Sequence, residues 1–282
     1  MNITNSINRG WRIIKISFLF MKAHKKAFYF PVIAAILRIS LLCFSILFLL
    51  IQSGISSTQP SFSIVITIML WLVLDRFITF FFRTALSAYI AGIITKQPIS
   101  VRHALAIVSH RWATILAFGI LNTLLQLKFS RRKSNDKPFV ATASLLSSLI
   151  GFAWRTATFF IIPIMALEQT GIIESIKTSL QTLRKTWGES VTGTFSIGGI
   201  SFLFGLIYLP LLIFMAALVN VISAFLAILL LFTGAVAYVM ASALIVNSVT
   251  TVFKTILYVY VTQGVTGPFD KQFLQTSFIG KV

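Results

Sequence analysis

Five ionisable side chains stand inside long apolar runs: Arg38, Asp75, Arg76, Arg83 and Arg155. An unpaired charge in hydrocarbon costs at least about 2.5–3.5 kcal/mol even on the insertion scale, so such residues persist where they pair, line a polar path or reach the water boundary. Arg76, Thr79, Arg83 and Ser87 fall at i, i+3, i+7 and i+11 and share one helical face. Ser144, Ser148, Gly151, Arg155 and Thr158 form a second polar stripe. Set face to face, the two would make a cationic seam suited to an anionic solute or a lipid headgroup. A plainer chemistry competes with this. Arg83 can snorkel to the inner interface, and Asp75 can pair with Arg38 or Arg155 across a helix contact. Asp75 and Arg76 are adjacent and cannot meet along one helix.

Catalytic chemistry finds little to work with. His24, His103 and His110 lie in basic linkers, with no partner at HExxH or other metal-ligand spacing, so no metal site is expected. P-loop, GxSxG and GxGxxG patterns are absent, and no cofactor is expected. The chain has six acids, of which Asp136 and Asp270 read as solvated, and this leaves a hydrolase short of general acids and bases. An enzyme would need Glu168, a histidine and a serine to cluster, and no spacing supplies that.

The elements that position these residues are membrane elements. Of 282 residues, 57% are hydrophobic and 11% charged, and the mean hydropathy is +0.93, far from the roughly 25% charged composition of soluble domains. The net charge of +18 lies mostly beside the ends of apolar segments, where the positive-inside rule places Lys and Arg. Anionic lipid headgroups account for it without nucleic acid, at about 1 kcal/mol per nearby basic residue. Cys43 is alone in an apolar run, so there is no disulfide framework. The first apolar run, 28–51, is too long for a signal-peptide core and reads as a signal anchor; a transit peptide is the lesser alternative.

Apolar runs predict six spans: 28–51, 62–95, 112–127, 140–167, 190–216 and 221 to beyond Asn247, with Lys254 near the inner end of the last. The run 112–127 is barely long enough, and 62–95 must tilt or protrude. Basic amphipathic segments precede three of the spans: residues 6–26, the linker KQPISVRHALAIVSHRW, and 172–185. Each ends in a basic or aromatic hinge, HKKAFYF at 24–30, SHRWATI at 109–115 and RKTWGES at 184–190. A three-unit repeat puts all three amphipathic helices on one face only if 112–127 crosses. Charge counting does not choose, because the loop from Lys128 to Lys137 carries five basic residues on what would be the outer side. The fifth run is rich in small residues, Gly193, Ser196, Gly198, Gly199, Ser201 and Gly205, which favour close helix packing.

Thr186-Trp187-Gly188-Glu189 has the T-x-x-E capping-box spacing, which predicts a helix start. The surrounding stretch adds Ala153-Trp154, Thr158-Phe159-Phe160-Ile161-Ile162-Pro163 and Glu168-Gln169-Thr170-Gly171. These motifs, in this order, resemble the signature of a domain-of-unknown-function family of prokaryotic polytopic membrane proteins. WRIIKISFLFMKAHKKAFYFPVI and VFKTILYVYVTQGVTGPFD are similar to the family's two ends. The resemblance implies a multi-helix membrane fold and brings no activity, substrate or catalytic residue with it.

The expectation is an all-α, six-span bundle forming a single integral membrane domain over 1–282. It has an N-terminal interfacial helix at 1–26, a polar tail at 272–282 and both termini cytoplasmic, in a cell membrane, taken as the bacterial inner membrane. The expected role is non-enzymatic: organising lipid or a membrane protein partner at the inner leaflet. The alternative is a transporter or channel for an anionic or lipid-like solute.

Overall fold

The computed structural model describes residues 15–55, 62–130, 150–168, 170–187 and 224–268. Among the described residues all regular structure is helical. A helical stretch at 15–23 bends at His24 into a 3-10 turn, Lys25–Phe28. Then come α1 (Tyr29–Ile55), α2 (Phe62–Ile94), α3 (Val101–Ser109), α4 (Trp112–Ser130), α5 (Ile161–Leu167), α6 (Ile172–Trp187) and α7 (Ala224–Gln263). Residues 150–157 are also helical and reach α5 through a turn at 158–160.

Local chemistry sets the ends. Pro31 sits in the first turn of α1, where a missing N–H costs nothing. Lys96 takes φ +59° to close α2, its N–H donating to the Ile93 carbonyl at 3.2 Å while Gln97 N–H donates to the Gly92 carbonyl at 2.9 Å. That is a Schellman closure with lysine where glycine usually stands. It requires Gly92, since a Cβ there would lie 2.9 Å from the Gln97 carbonyl oxygen. Ser100 accepts from His103 N–H at 3.1 Å and starts α3. α3 and α4 meet at His110-Arg111 with a 72° bend.

α2 is the hub, packing on α1, α3, α4, α5 and α7. Arg38 meets Asp75 and Phe30 meets Tyr89, so α1 runs antiparallel to α2. Phe118 meets Phe80 with centroids 4.8 Å apart, and Gly119 lies against the backbone of Arg76 and Phe77, so α4 is antiparallel too. Trp154 bonds Asn122 while Glu168 meets Arg111, which turns the segment 150–167 back against α4. Arg83 bonds Thr251 and Ser87 bonds Thr255, so α7 runs parallel to α2. The first two hinges, the end of α2 and the end of α7 therefore gather at one end of the bundle, hereafter the basic end.

The core fills that end: Phe80 to Ile94 of α2, Phe30, Ile115, Phe118, residues 159–166 and Val252 to Val259 are buried. Toward the other end Phe44, Leu47, Ile66 and Leu70 are exposed. Bare apolar faces of this extent would aggregate in water and suit lipid.

Four helical stretches are long and apolar enough to cross a membrane: Lys25–Leu49, Ile64–Ile94, Ile150–Leu167 and Leu244–Gln263. The bent pair Val101–Ser109 plus Trp112–Leu125 makes a fifth if it counts as one span. Four to five crossings are thus present among the described residues. The expected fifth run at 190–216 lies outside them, as do residues 1–14, Ser144, Ser148, the glycine-rich positions 193–205 and the tail 272–282. Two expected boundaries differ. α7 continues through Lys254 to Gln263, because Thr251 and Thr255 give its polar side a partner on α2. α6 runs through Trp187, which puts Thr186 inside a final helical turn rather than in front of a new helix.

Candidate functional site

Where α1, α2 and α7 meet near the basic end they leave a cleft holding about 350 Å³ of space, open on one side and lined in part by Arg38, Thr79, Arg83, Asn247 and Ser248. Arg38 donates from Nε to Asp75 Oδ1 at 2.6 Å, joining α1 to α2. The Asp75 side chain is 10% exposed and that of Arg38 22%, so the carboxylate is the more deeply held partner. Arg83 donates from Nε to Thr251 Oγ1 at 3.0 Å, and one turn on Ser87 and Thr255 share a 2.7 Å hydrogen bond. The Thr79 and Ser248 hydroxyls donate to the carbonyls of Asp75 and Leu244 in their own helices. Two guanidinium groups thus stand against one carboxylate.

A third cation lies close by. Lys254 Nζ is 4.2 Å from the centroid of the Phe159 ring, a cation–π contact. It is near enough to Arg83 for the two positive charges to repel. Among the described residues the one ion pair is Arg38 with Asp75, so Arg83 and Lys254 have no carboxylate partner there.

Arg38, Asp75 and Arg83 from the sequence are therefore brought together, and Arg76 and Arg155 are not. Arg76 is half-buried beside Gly119 on the α4 side of α2. Arg155 is exposed. The α2 stripe meets α7 rather than the Arg155 stripe, and its partners are the threonines 251 and 255.

The motif residues build a separate knot at the basic end. Trp154 donates from Nε1 to Asn122 Oδ1 at 3.2 Å and stacks on Phe118, tying 150–157 to α4. Pro163 is the third residue of α5, within the first turn, where its lacking N–H leaves no gap. α5 is held at both ends. Phe160 N–H donates to Ser179 Oγ of α6 at 3.0 Å, and Arg111 Nη1 donates to the carbonyls of Met165, at 2.8 Å, and of Glu168. The Glu168 carboxylate accepts from the Tyr258 hydroxyl of α7. Gly171 sits just before α6, and its carbonyl accepts from Ser175 N–H at 2.9 Å. The side chains of Thr186 and Trp187, and the whole of Gly188 and Glu189, lie outside the described residues.

Sequence reading missed Arg111, Tyr258, Asn247, Thr251 and Thr255 as functional positions. The last three had a signal: Asn247, Thr251 and Thr255 repeat at i, i+4, i+8 along an otherwise apolar helix. Arg111 and Tyr258 had none, since one reads as a hinge cation and the other as an interfacial aromatic.

A family model described as "Family of unknown function (DUF6159)" matches residues 61–269, leaving the N-terminal stretch outside the match. No curated protein and no solved structure matches the chain.

Proposed function

Because the chain belongs to that family, which carries no activity to inherit, we propose from its own geometry a multi-pass membrane protein that engages anionic lipid at the inner leaflet without catalysis. The observation that carries this is the outward face of α6, where Ile173, Lys177, Leu180 and Arg184 follow at i, i+4, i+7 and i+11 and are all exposed. Ile173 is 85% exposed, while the opposite face turns Ser175, Ser179, Thr182 and Leu183 into the protein. Apolar groups interleaved with long cations on one open face suit the headgroup boundary, where the chains of Lys and Arg lie along lipid and their charges reach phosphate. Lys22, Lys25 and Lys26 are exposed beside the first hinge and add to the same field. Those cations are assigned to lipid rather than nucleic acid, and the same face offers a membrane protein partner a place to dock.

Six spans with both termini cytoplasmic belong to this reading. The segment 150–167 and α7 both run parallel to α2, so an odd number of crossings separates them, and 190–216 is the apolar run available. A test uses the full chain in bilayers of phosphatidylcholine with a minor share of spin-labelled phosphatidylglycerol. The combined variant Lys22→Ala/Lys25→Ala/Lys26→Ala/Lys177→Ala/Arg184→Ala should lose most of the preference for the anionic lipid at the protein boundary. An unchanged preference would reject the proposal.

The second reading, a carrier for an anionic or lipid-like solute, draws on the Arg38/Arg83 cleft. It requires anion flux in proteoliposomes that Arg83→Gln abolishes while the protein still folds.

A further inference from the structure

We propose that the cleft between α1, α2 and α7 binds one phosphoryl anion, carried on a lipid headgroup or free in solution. The inference deepens the anionic-lipid reading by naming a discrete site, distinct from the lysines and arginine of the outer face. Both arginines of the cleft spend Nε on a protein partner, Asp75 and Thr251, which leaves the terminal nitrogens of both forks unspent among the described residues. The Asn247 carboxamide lines the same space without a partner there. The hydroxyl hydrogens of Thr79 and Ser248 are already given to backbone carbonyls. What the cleft has left to offer is therefore mainly donors, in a field set by Arg38, Arg83 and the nearby Lys254 against Asp75 alone. Guanidinium forks with two free donors match the oxygen geometry of a phosphate, and a site with excess donors and positive charge rejects cations and neutral polar groups.

Size and depth agree. The 350 Å³ of space lies at the small end of the range of roughly 300–1,000 Å³ for small-molecule sites, enough for a headgroup phosphate with its nearest atoms and too little for a large solute. α2 is 33 residues and so about 50 Å long, about 20 Å more than the hydrocarbon core. Taken up at the buried basic end, that excess puts Arg83, about 17 Å from the end of α2, at the level where lipid phosphates lie.

The test uses the purified full chain in micelles, with phosphatidylglycerol and inorganic phosphate as probes. Native mass spectrometry after detergent exchange should show one phosphatidylglycerol retained per chain, and Arg83→Gln should weaken that retention about tenfold, as expected for loss of one charged donor. Asn247→Ala should weaken it less, and it serves as the readout if Arg83→Gln does not fold. Inorganic phosphate that displaces the lipid assigns the site to the phosphoryl group itself; failure to displace it assigns the site to the lipid. The proposal is overturned if neither probe binds, or if folded Arg83→Gln and Asn247→Ala retain both probes like the parent chain. The hinge and α6 variants should leave the retained lipid in place. Loss of retention in those variants alone would move the site to the outer face and overturn the cleft, with the anionic-lipid reading intact.

Discussion

Asp75 shows how a carboxylate is tolerated in an apolar setting: it is given an arginine from another helix and little else. Removing one partner strands the other, so Arg38→Leu or Asp75→Leu should each destabilise by about 3 kcal/mol, the low end for a buried pair because the Arg38 side chain stays 22% exposed. The double variant should lose less than either single one. Unfolding in mixed micelles measures all three. Arg111 has a different task, capping the end of α5 with a charged donor on two carbonyls. Arg111→Ala should cost about 1.5–3 kcal/mol, while Arg111→Lys, which keeps the charge and loses the fork, should recover part of it. The pairing of Asp75 was legible down to two candidate arginines, because a lone acid in an apolar run must find a cation. The partners of Arg83 were not legible, since a stripe names the face of a helix and says nothing of which helix covers it.

Helices were legible as elements and less so at their edges. The apolar runs at 28–51 and 62–95 correspond to α1 and α2 within a few residues, because length and hydropathy alone decide a membrane helix. The break at 158–160 inside the fourth run was not, since every residue there is helix-compatible and the turn is held by Ser179 from α6. Thr186 misled for a related reason: a capping-box spacing is satisfied equally by a threonine in the last turn of the preceding helix. The end of α2 gives a clean element-scale prediction. Lys96 holds φ +59°, a conformation costing a non-glycine residue roughly 1–2 kcal/mol. Lys96→Gly should therefore stabilise by about 0.5–1 kcal/mol once the added freedom of the unfolded chain is deducted. Gly92→Ala should destabilise, because its Cβ would stand 2.9 Å from a backbone oxygen that cannot move without undoing the closure. Thermal unfolding of the two variants should shift in opposite directions.

For the whole molecule, the pairings of α1, α4, the segment 150–167 and α7 with one hub fix which ends lie together. Gln97, His110 and Gln263 are all exposed at the basic end. Placed singly as cysteines in a Cys43→Ser background, they should react with a membrane-impermeant maleimide from the same side. A reagent reaching one of them only from the opposite side would break the antiparallel order of α2 and α4, or the parallel order of α2 and α7. The repeat of amphipathic helix, basic hinge and apolar helix was legible because composition alternates with it. It is seen complete in the first two units, at His24 and at His110-Arg111.

The double clamp on α5 also orders events during synthesis. Residues 161–167 leave the ribosome after Arg111 but ahead of Ser179 and well ahead of Tyr258. The nascent chain therefore reaches the insertion machinery with the Phe160 amide open and the Glu168 carboxylate waiting. The segment cannot settle until α7 arrives, so a chain stopped short of Tyr258 should be cleared by membrane quality-control proteases. A late-closing latch of this kind makes completion of the last helix the checkpoint for the whole bundle.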